Sequence, residues 1–225
     1  DHVTVDLASD QVANLRAQLL HPKASPAPDE VVAWVKQAAI PLRTVEAGKG
    51  LDDMEPLRAL VGGARLVGLG EATHGTREFF QLKHRMLELL VEKMGFRAFG
   101  IEASFADCLP LSEYVRTGKG DPAAALANQG FWTWDTEEVL AMVRWMRACN
   151  EDPSHKQKLS FWGYDMQSPA GSVHALLAYL AKVEPAFARE IGPELELVDD
   201  DFAAHHMGSR PAPERAAVAS VAKKI

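Results

Sequence analysis

The chain has 225 residues, 47% hydrophobic and 24% charged, enough for one substantial core, or one and a half domains, of an ordinary globular kind. A formal charge of −7, with no basic stretch to offset it, argues against a nucleic-acid partner, and no apolar run is long enough to span a bilayer. Two cysteines far apart, Cys108 and Cys149, make neither a disulfide framework nor a zinc pattern and read as free thiols in a reducing compartment, the cytoplasm. The chain opens Asp-His-Val rather than with Met, which leaves room for a leader ahead of it.

In chain order, residues 7–20 read as a polar-faced helix, followed by the Pro-rich break "HPKASPAPDE". Residues 29–39 read as a second helix with acids in its first turn, "EAGKGLDD" as a loop, and "MEPLRALVGG" as a short helix ended by glycines. The rhythm then changes. "RLVGLG" (65–70) reads as a buried strand, 77–94 as a strongly periodic helix, and "RAFGIE" (97–102) as a second strand. Helices at about 107–117 and 135–149, a third strand "LSFWGYD" (159–165) and a helix at about 170–183 follow. Strands alternating with helices predict an α/β fold with a parallel-sheet core and flanking helices. Three regions result: an N-terminal helical segment (1–50), an α/β catalytic core (51–184) and an irregular or helical tail (185–225).

Each predicted strand ends in a carboxylate: Glu71, Glu102 and Asp165. In a parallel sheet these ends share one edge, the edge where open α/β proteins bind ligands. Gathered acids are costly unless protons, cations or a metal offset them. The bland alternative is that they cap the following helices.

The turn after the first strand is "GEATHGTREFF". Gly70 and Gly75 have the spacing of a phosphate loop, but Thr76 and Arg77 stand where Lys and Ser/Thr are required, and Glu71 would put a negative charge in the anion cradle. What remains is a tight turn presenting Glu71 and His74. A histidine there can act as a general base, with a carboxylate to orient it or stabilise its charged form. On the helix that follows, Phe79, Phe80, Met86, Leu87, Leu90, Val91 and Met94 share one face, and Arg77, Glu78, Gln81, Arg85, Glu88 and Glu92 fall largely on the other. Lys83 sits at the centre of the apolar face, with His84 on its flank. A lysine there is expensive unless its ammonium meets an acid such as Glu71 or Glu102, and Lys83 or Arg77 could stabilise an oxyanion. "FWTWD" bunches Phe131, Trp132 and Trp134, a core cluster or an aromatic wall for a ligand. His205 and His206 read as surface residues.

The combination "GLGEATHGTREFFQLKHRMLELLVEKMGFRAFGIEASF", then "FWTWDTEEV", then "LSFWGYDMQ" resembles the erythromycin esterase family, which includes members associated with succinoglycan biosynthesis. The resemblance runs from about residue 33 to 180. It implies hydrolysis of a macrolide lactone or another ester by a histidine-activated water, with no covalent serine intermediate and no cofactor. By motif position His74 would be the general base, with Glu71 and Glu102 as the acids around it and Lys83 as a site cation; Arg77, His84, Trp132, Trp134 and Asp165 would contact the small-molecule ester or lactone. Macrolide-hydrolysing members carry an arginine where this chain has Lys83. The family chain is also longer, and its later half supplies further helices and histidines with no counterpart here.

Two other classes stay open on the residues alone. One is a metal-assisted hydrolase using Glu71, His74 and Glu102, with Asp165 as an optional fourth, as ligands of zinc or manganese. The other is a non-catalytic binding protein.

Overall fold

The computed structural model describes residues 27–165, 169–196, 198, 208 and 210–224. The helix expected at 7–20, together with His205 and His206, lies outside them. The chain divides into two compact units, residues 1–41 and 42–225. In the first unit the described element is α1 (Asp29–Ala38), with Asp29 and Glu30 in its first turn and Lys36 in its last, the order the helix dipole favours.

The second unit opens with a loop and a single 3₁₀ turn (Asp52–Met54) leading into α2 (Glu55–Val61), which Gly62 ends. A long helix, α3 (Arg77–Met94), follows. Its C-cap Gly95 has φ 79°, the left-handed conformation that lets the chain turn back. Then come β1 (Ala98–Ser104), α4 (Leu109–Thr117), α5 (Pro122–Ala127), α6 (Glu137–Glu151), β2 (Ser160–Asp165), α7 (Ala170–Val183), α8 (Pro185–Leu195) and α9 (Ala212–Val221). The Asp121 side chain caps α5 through the Ala123 amide at 2.9 Å, and Thr136 caps α6 through the Val139 amide at 3.3 Å. The tail is therefore helical rather than irregular from Pro185 to Leu195 and from Ala212 to Val221.

The fold is α/β and helix-rich. Its sheet has two parallel strands among the described residues, with Ala98 opposite Ser160 and Ser104 opposite Asp165. Gly163 makes the close pairing possible: a Cβ there would lie 2.4 Å from the Ala103 carbonyl oxygen. The expected first strand is not formed: residues 65–70 have no ladder partner among the described residues, and Leu66 is 89% exposed. Apolar content and flanking glycines marked that segment correctly as strand-like, but a strand is made by ladder partners, and these residues have none.

One face of the sheet is buried and the other open. Phe99, Ile101, Ala103 and Phe161 turn toward α3, α4 and α6, packing with Leu87, Leu111, Val115, Val143 and Met146. Each fully enclosed Val, Leu, Ile, Phe or Met side chain among them stabilises the fold by about 1.5–3 kcal/mol. Buried Asn150 ties this layer together, donating to the Val115 and Leu159 carbonyls and accepting from the Leu159 amide. The opposite face presents Trp162 and Tyr164, with Phe105 stacked on Trp162. A second small core joins α7, α8 and α9 through Val173, Leu180, Ile191, Leu195 and Val221. No helix among the described residues is long and apolar enough to cross a membrane.

Candidate active site

Helix α3 organises the site. Lys83 faces the sheet side, where Phe80, Leu87 and Leu90 make an apolar surface and leave the ammonium few partners. The Lys83 Nζ bonds Glu71 Oε2, and both side chains are mostly enclosed, 13% and 9% exposed. The rings of Phe80 and Trp134 lie 5.4 and 5.5 Å from the same Nζ, at cation–π distance. The acid partner that the helix face demanded is thus Glu71.

The second oxygen of Glu71, Oε1, lies 2.6 Å from His74 Nδ1. Burial pushes the Glu71 carboxyl up, but hydrogen bonds from Lys83 and His74 outweigh that and hold it below the usual carboxylate range. A carboxylate can only accept, so Nδ1 is the donor, and in the neutral ring Nε2 is the nitrogen that carries the lone pair. The His74 side chain is 60% exposed, so the ring is reachable from solvent. Gly75 (φ 74°) turns the chain immediately after it, and the Trp132 indole lies against that turn, 3.2 Å from where a Cβ would sit. Trp132 itself is 72% exposed.

A cleft of about 1060 Å³ opens beside this cluster. It is lined by residues 64–71, by β1 from Ala98 to Glu102, and by Leu87, Leu90 and Met94 of α3. Glu71, His74, Lys83, Glu102, Trp134 and Tyr164 all line it. Trp134 is anchored by its indole N–H, which donates to the Glu102 carbonyl at 2.9 Å. Tyr164 is pushed above its usual pKa by burial and by Glu102 and Asp165.

The remaining candidates fall elsewhere. Arg77 pairs with Glu138 of α6 at 2.9 Å and is not among the cleft residues. His84 is buried with its ring edge against Trp145, and burial drives its pKa down to about 4. Asp165 ends β2 level with Ser104, where its carbonyl accepts from the Phe105 amide. Among the described residues no group of three or more His, Cys, Asp or Glu is arranged to hold a metal ion, so Glu71, His74, Glu102 and Asp165 are not gathered as ligands. The Cys108 thiol, driven up to about 12 by burial and Asp107, is a poor nucleophile.

Two residues placed on the polar face of α3 are buried instead. Arg85 is fully enclosed and Glu88 is 5% exposed, because the loop of residues 43–53 folds over them. Arg85 donates to the Thr44 and Gly50 carbonyls and to both oxygens of Asp53, while Glu88 accepts from the Gly48 amide. Helical periodicity holds no sign of a cover supplied from 35 residues upstream.

A family model for erythromycin esterase matches residues 91–224. The chain belongs to the erythromycin esterase family. It is 31% identical over 173 residues to erythromycin esterase type II of Escherichia coli, a match covering 75% of this chain and 39% of that protein. Among solved structures, a Bacillus cereus protein superposes with a TM-score of 0.73 at 31% identity, covering 87% of this chain and 47% of that one. A succinoglycan biosynthesis protein superposes with a TM-score of 0.67 at 34% identity, covering 78% and 44%. The chain thus spans less than half the length of each of these relatives. Membership supports hydrolase chemistry at the coarse level. The family-model match contains Glu102 and Asp165 and begins after Glu71 and His74.

Proposed function

We propose that this chain carries the hydrolytic centre of an esterase in which His74 is the general base. The Nε2 lone pair takes a proton from a water as that water attacks an ester or lactone carbonyl in the cleft. The Nδ1 proton stays on the ring, donated to Glu71, whose carboxylate stabilises the imidazolium as it forms. Lys83 keeps Glu71 ionised and oriented. An ammonium has three donors and one goes to Glu71, so Lys83 retains hydrogen-bonding capacity for the developing oxyanion. A direct water attack needs no nucleophilic side chain, in keeping with the raised pKa of Cys108.

The observation that carries this reading is the Lys83–Glu71–His74 chain, with its 2.6 Å Glu71–His74 contact, lining a cleft of about 1060 Å³. The substrate would be a small-molecule ester, with the macrolide lactone as one member of the panel to be tried. Hydrolysis of such a panel by the wild type and by His74→Ala tests it. A general base typically contributes about 10²–10⁴-fold, so His74→Ala should lose at least about a hundredfold in kcat. Retention of more than about a tenth of the activity would remove His74 from the role.

A further inference from the structure

Lys83 is held by two kinds of partner. Glu71 accepts one N–H, while the rings of Phe80 and Trp134 lie 5.4 and 5.5 Å from Nζ. A carboxylate takes a hydrogen bond for each such contact, whereas a ring face attracts the cation through its quadrupole and takes no full hydrogen bond. The two rings are not equivalent. Phe80 stands one turn before Lys83 on the same helix, so it moves with the lysine and relates it to nothing outside α3. Trp134 comes from the loop between α5 and α6, and its indole N–H donates to the Glu102 carbonyl of β1 at 2.9 Å. One side chain therefore meets the cation with its face and the strand carrying Glu102 with its edge.

The loop holds that ring in place. The Trp134 amide donates to the Phe131 carbonyl at 3.1 Å, and the Trp134 carbonyl accepts from the Thr136 amide at 2.9 Å. Thr136 caps α6, and Arg77 at the start of α3 pairs with Glu138 in the first turn of α6. Phe80 packs against the indole with ring centroids 5.7 Å apart. A tryptophan serving as a ligand wall shows its face to solvent, as Trp132 can at 72% exposed; Trp134 is 8% exposed and has Lys83 over its ring.

We infer that Trp134 is a positioning residue for the hydrolysis: its indole fixes where the Lys83 ammonium stands relative to the Glu102 end of β1, so that an N–H not used by Glu71 is available to the cleft. This rests on the reading of Lys83 as the oxyanion donor beside Glu71 and His74. Misplacing such a donor removes transition-state stabilisation and leaves ground-state binding nearly intact. Acceptors in place of the ring would saturate the ammonium, as Asp53 and two carbonyls saturate Arg85.

The test replaces Trp134 in the full chain, by site-specific incorporation, with mono-, di- and trifluorotryptophan. Fluorine drains the negative potential of the ring face while keeping the N–H and nearly the same shape. The same series at Trp145, which packs on His84, is the control. With p-nitrophenyl acetate, kcat should fall stepwise with each fluorine at position 134, to about a fifth at three, while KM stays within about twofold. Tm should stay within about 2 °C, and the Trp145 series should leave kcat unchanged. Trp134→Phe, which keeps a ring, should retain more kcat than Trp134→Leu. An unchanged kcat across the series at 134 would overturn the inference. So would a loss complete at the first fluorine or tracking a fall in Tm, which would make the ring a core wedge. A raised KM with kcat unchanged would overturn it too, making Trp134 a substrate wall. A readout independent of turnover is the proton shift of the Lys83 ε-methylene, identified by its loss in Lys83→Met. It should lie upfield in the unmodified protein and move downfield in Trp134→Leu; an unmoved signal would overturn the contact. If the unmodified chain has no esterase activity, the hydrolytic reading fails and the positioning role with it, while the shift still decides whether the ring holds Lys83.

Discussion

Two ion pairs sit two residues apart on α3, and they differ in what they leave over. Arg85 is saturated: its guanidinium reaches two backbone carbonyls and both oxygens of Asp53, and none of it meets solvent. Asp53 is correspondingly held far below the usual carboxylate range by that contact. Lys83 is unsaturated: one partner is Glu71, two are aromatic rings, and the cleft takes the remainder. Its carboxylate passes the interaction on to a histidine exposed to solvent. A saturated pair can only hold structure together, whereas an unsaturated pair with a titratable neighbour can do chemistry. The first fixes the loop of residues 43–53 on the helix, and the second orients a base.

The saturated pair should give the largest stability effect. Arg85→Met takes the donors from the Thr44 and Gly50 carbonyls and leaves the mostly enclosed Asp53 carboxylate without its ion partner, so thermal unfolding should show a Tm about 10 °C lower. A change under about 2 °C would mean that the loop is not held this way.

Between the two cations lies His84, a buried group whose Nε2 has no partner among the described residues. Its folded pKa of about 4 lies below the unfolded value of about 6.5, so between these limits the unfolded state binds more protons. Stability should therefore fall as pH drops from about 6.5 to about 4, by up to about 3 kcal/mol, and level off below. Denaturant melts of His84→Leu across that range should lack this component. A mutant with the same acid sensitivity as the wild type would assign the effect to other groups.

Lys83→Met should cost about 2 kcal/mol, below the ~3–5 kcal/mol of stranding a fully enclosed charge, because Glu71 keeps His74 and can take up a proton. Its signature is joint loss: activity falls with stability, where Arg85→Met lowers Tm and leaves the remaining folded protein active. Lys83→Arg should recover stability by keeping the charge. A Lys83→Met protein with wild-type turnover would reduce the pair to a second structural clamp. The smallest effect is expected from a strong chelator. Both oxygens of Glu71 are already engaged by Lys83 and His74, so prolonged treatment should leave hydrolysis unchanged. Loss of activity restored by zinc or manganese would point to a metal centre instead.

Much of this was legible in the sequence where local pattern decides structure. α3 begins and ends where its periodicity and Gly95 place it, and α7 spans the residues read as helical. The need of Lys83 for an acid followed from one charge on an apolar face, and Glu71 meets it. What stayed hidden depends on distant chain. Arg85 and Glu88 read as solvated because nothing in α3 announces the loop that covers them. Trp134 could be read only as part of an aromatic cluster, since its indole bond is to the carbonyl of a strand 32 residues earlier. Residues 65–70 have the composition of a strand but not the pairing, which is a tertiary property.

The central claim is that Glu71 acts through His74, and a double-mutant cycle measures that directly. Values of kcat/KM for hydrolysis of one ester would be compared among the wild type, Glu71→Gln, His74→Ala and the double variant. The account predicts that Glu71→Gln costs about tenfold or more when His74 is present and nearly nothing once His74 is gone, a coupling within the 0.5–3 kcal/mol range of contacting residues. Equal losses from Glu71→Gln in both backgrounds would show that the carboxylate and the imidazole act independently, and would contradict it.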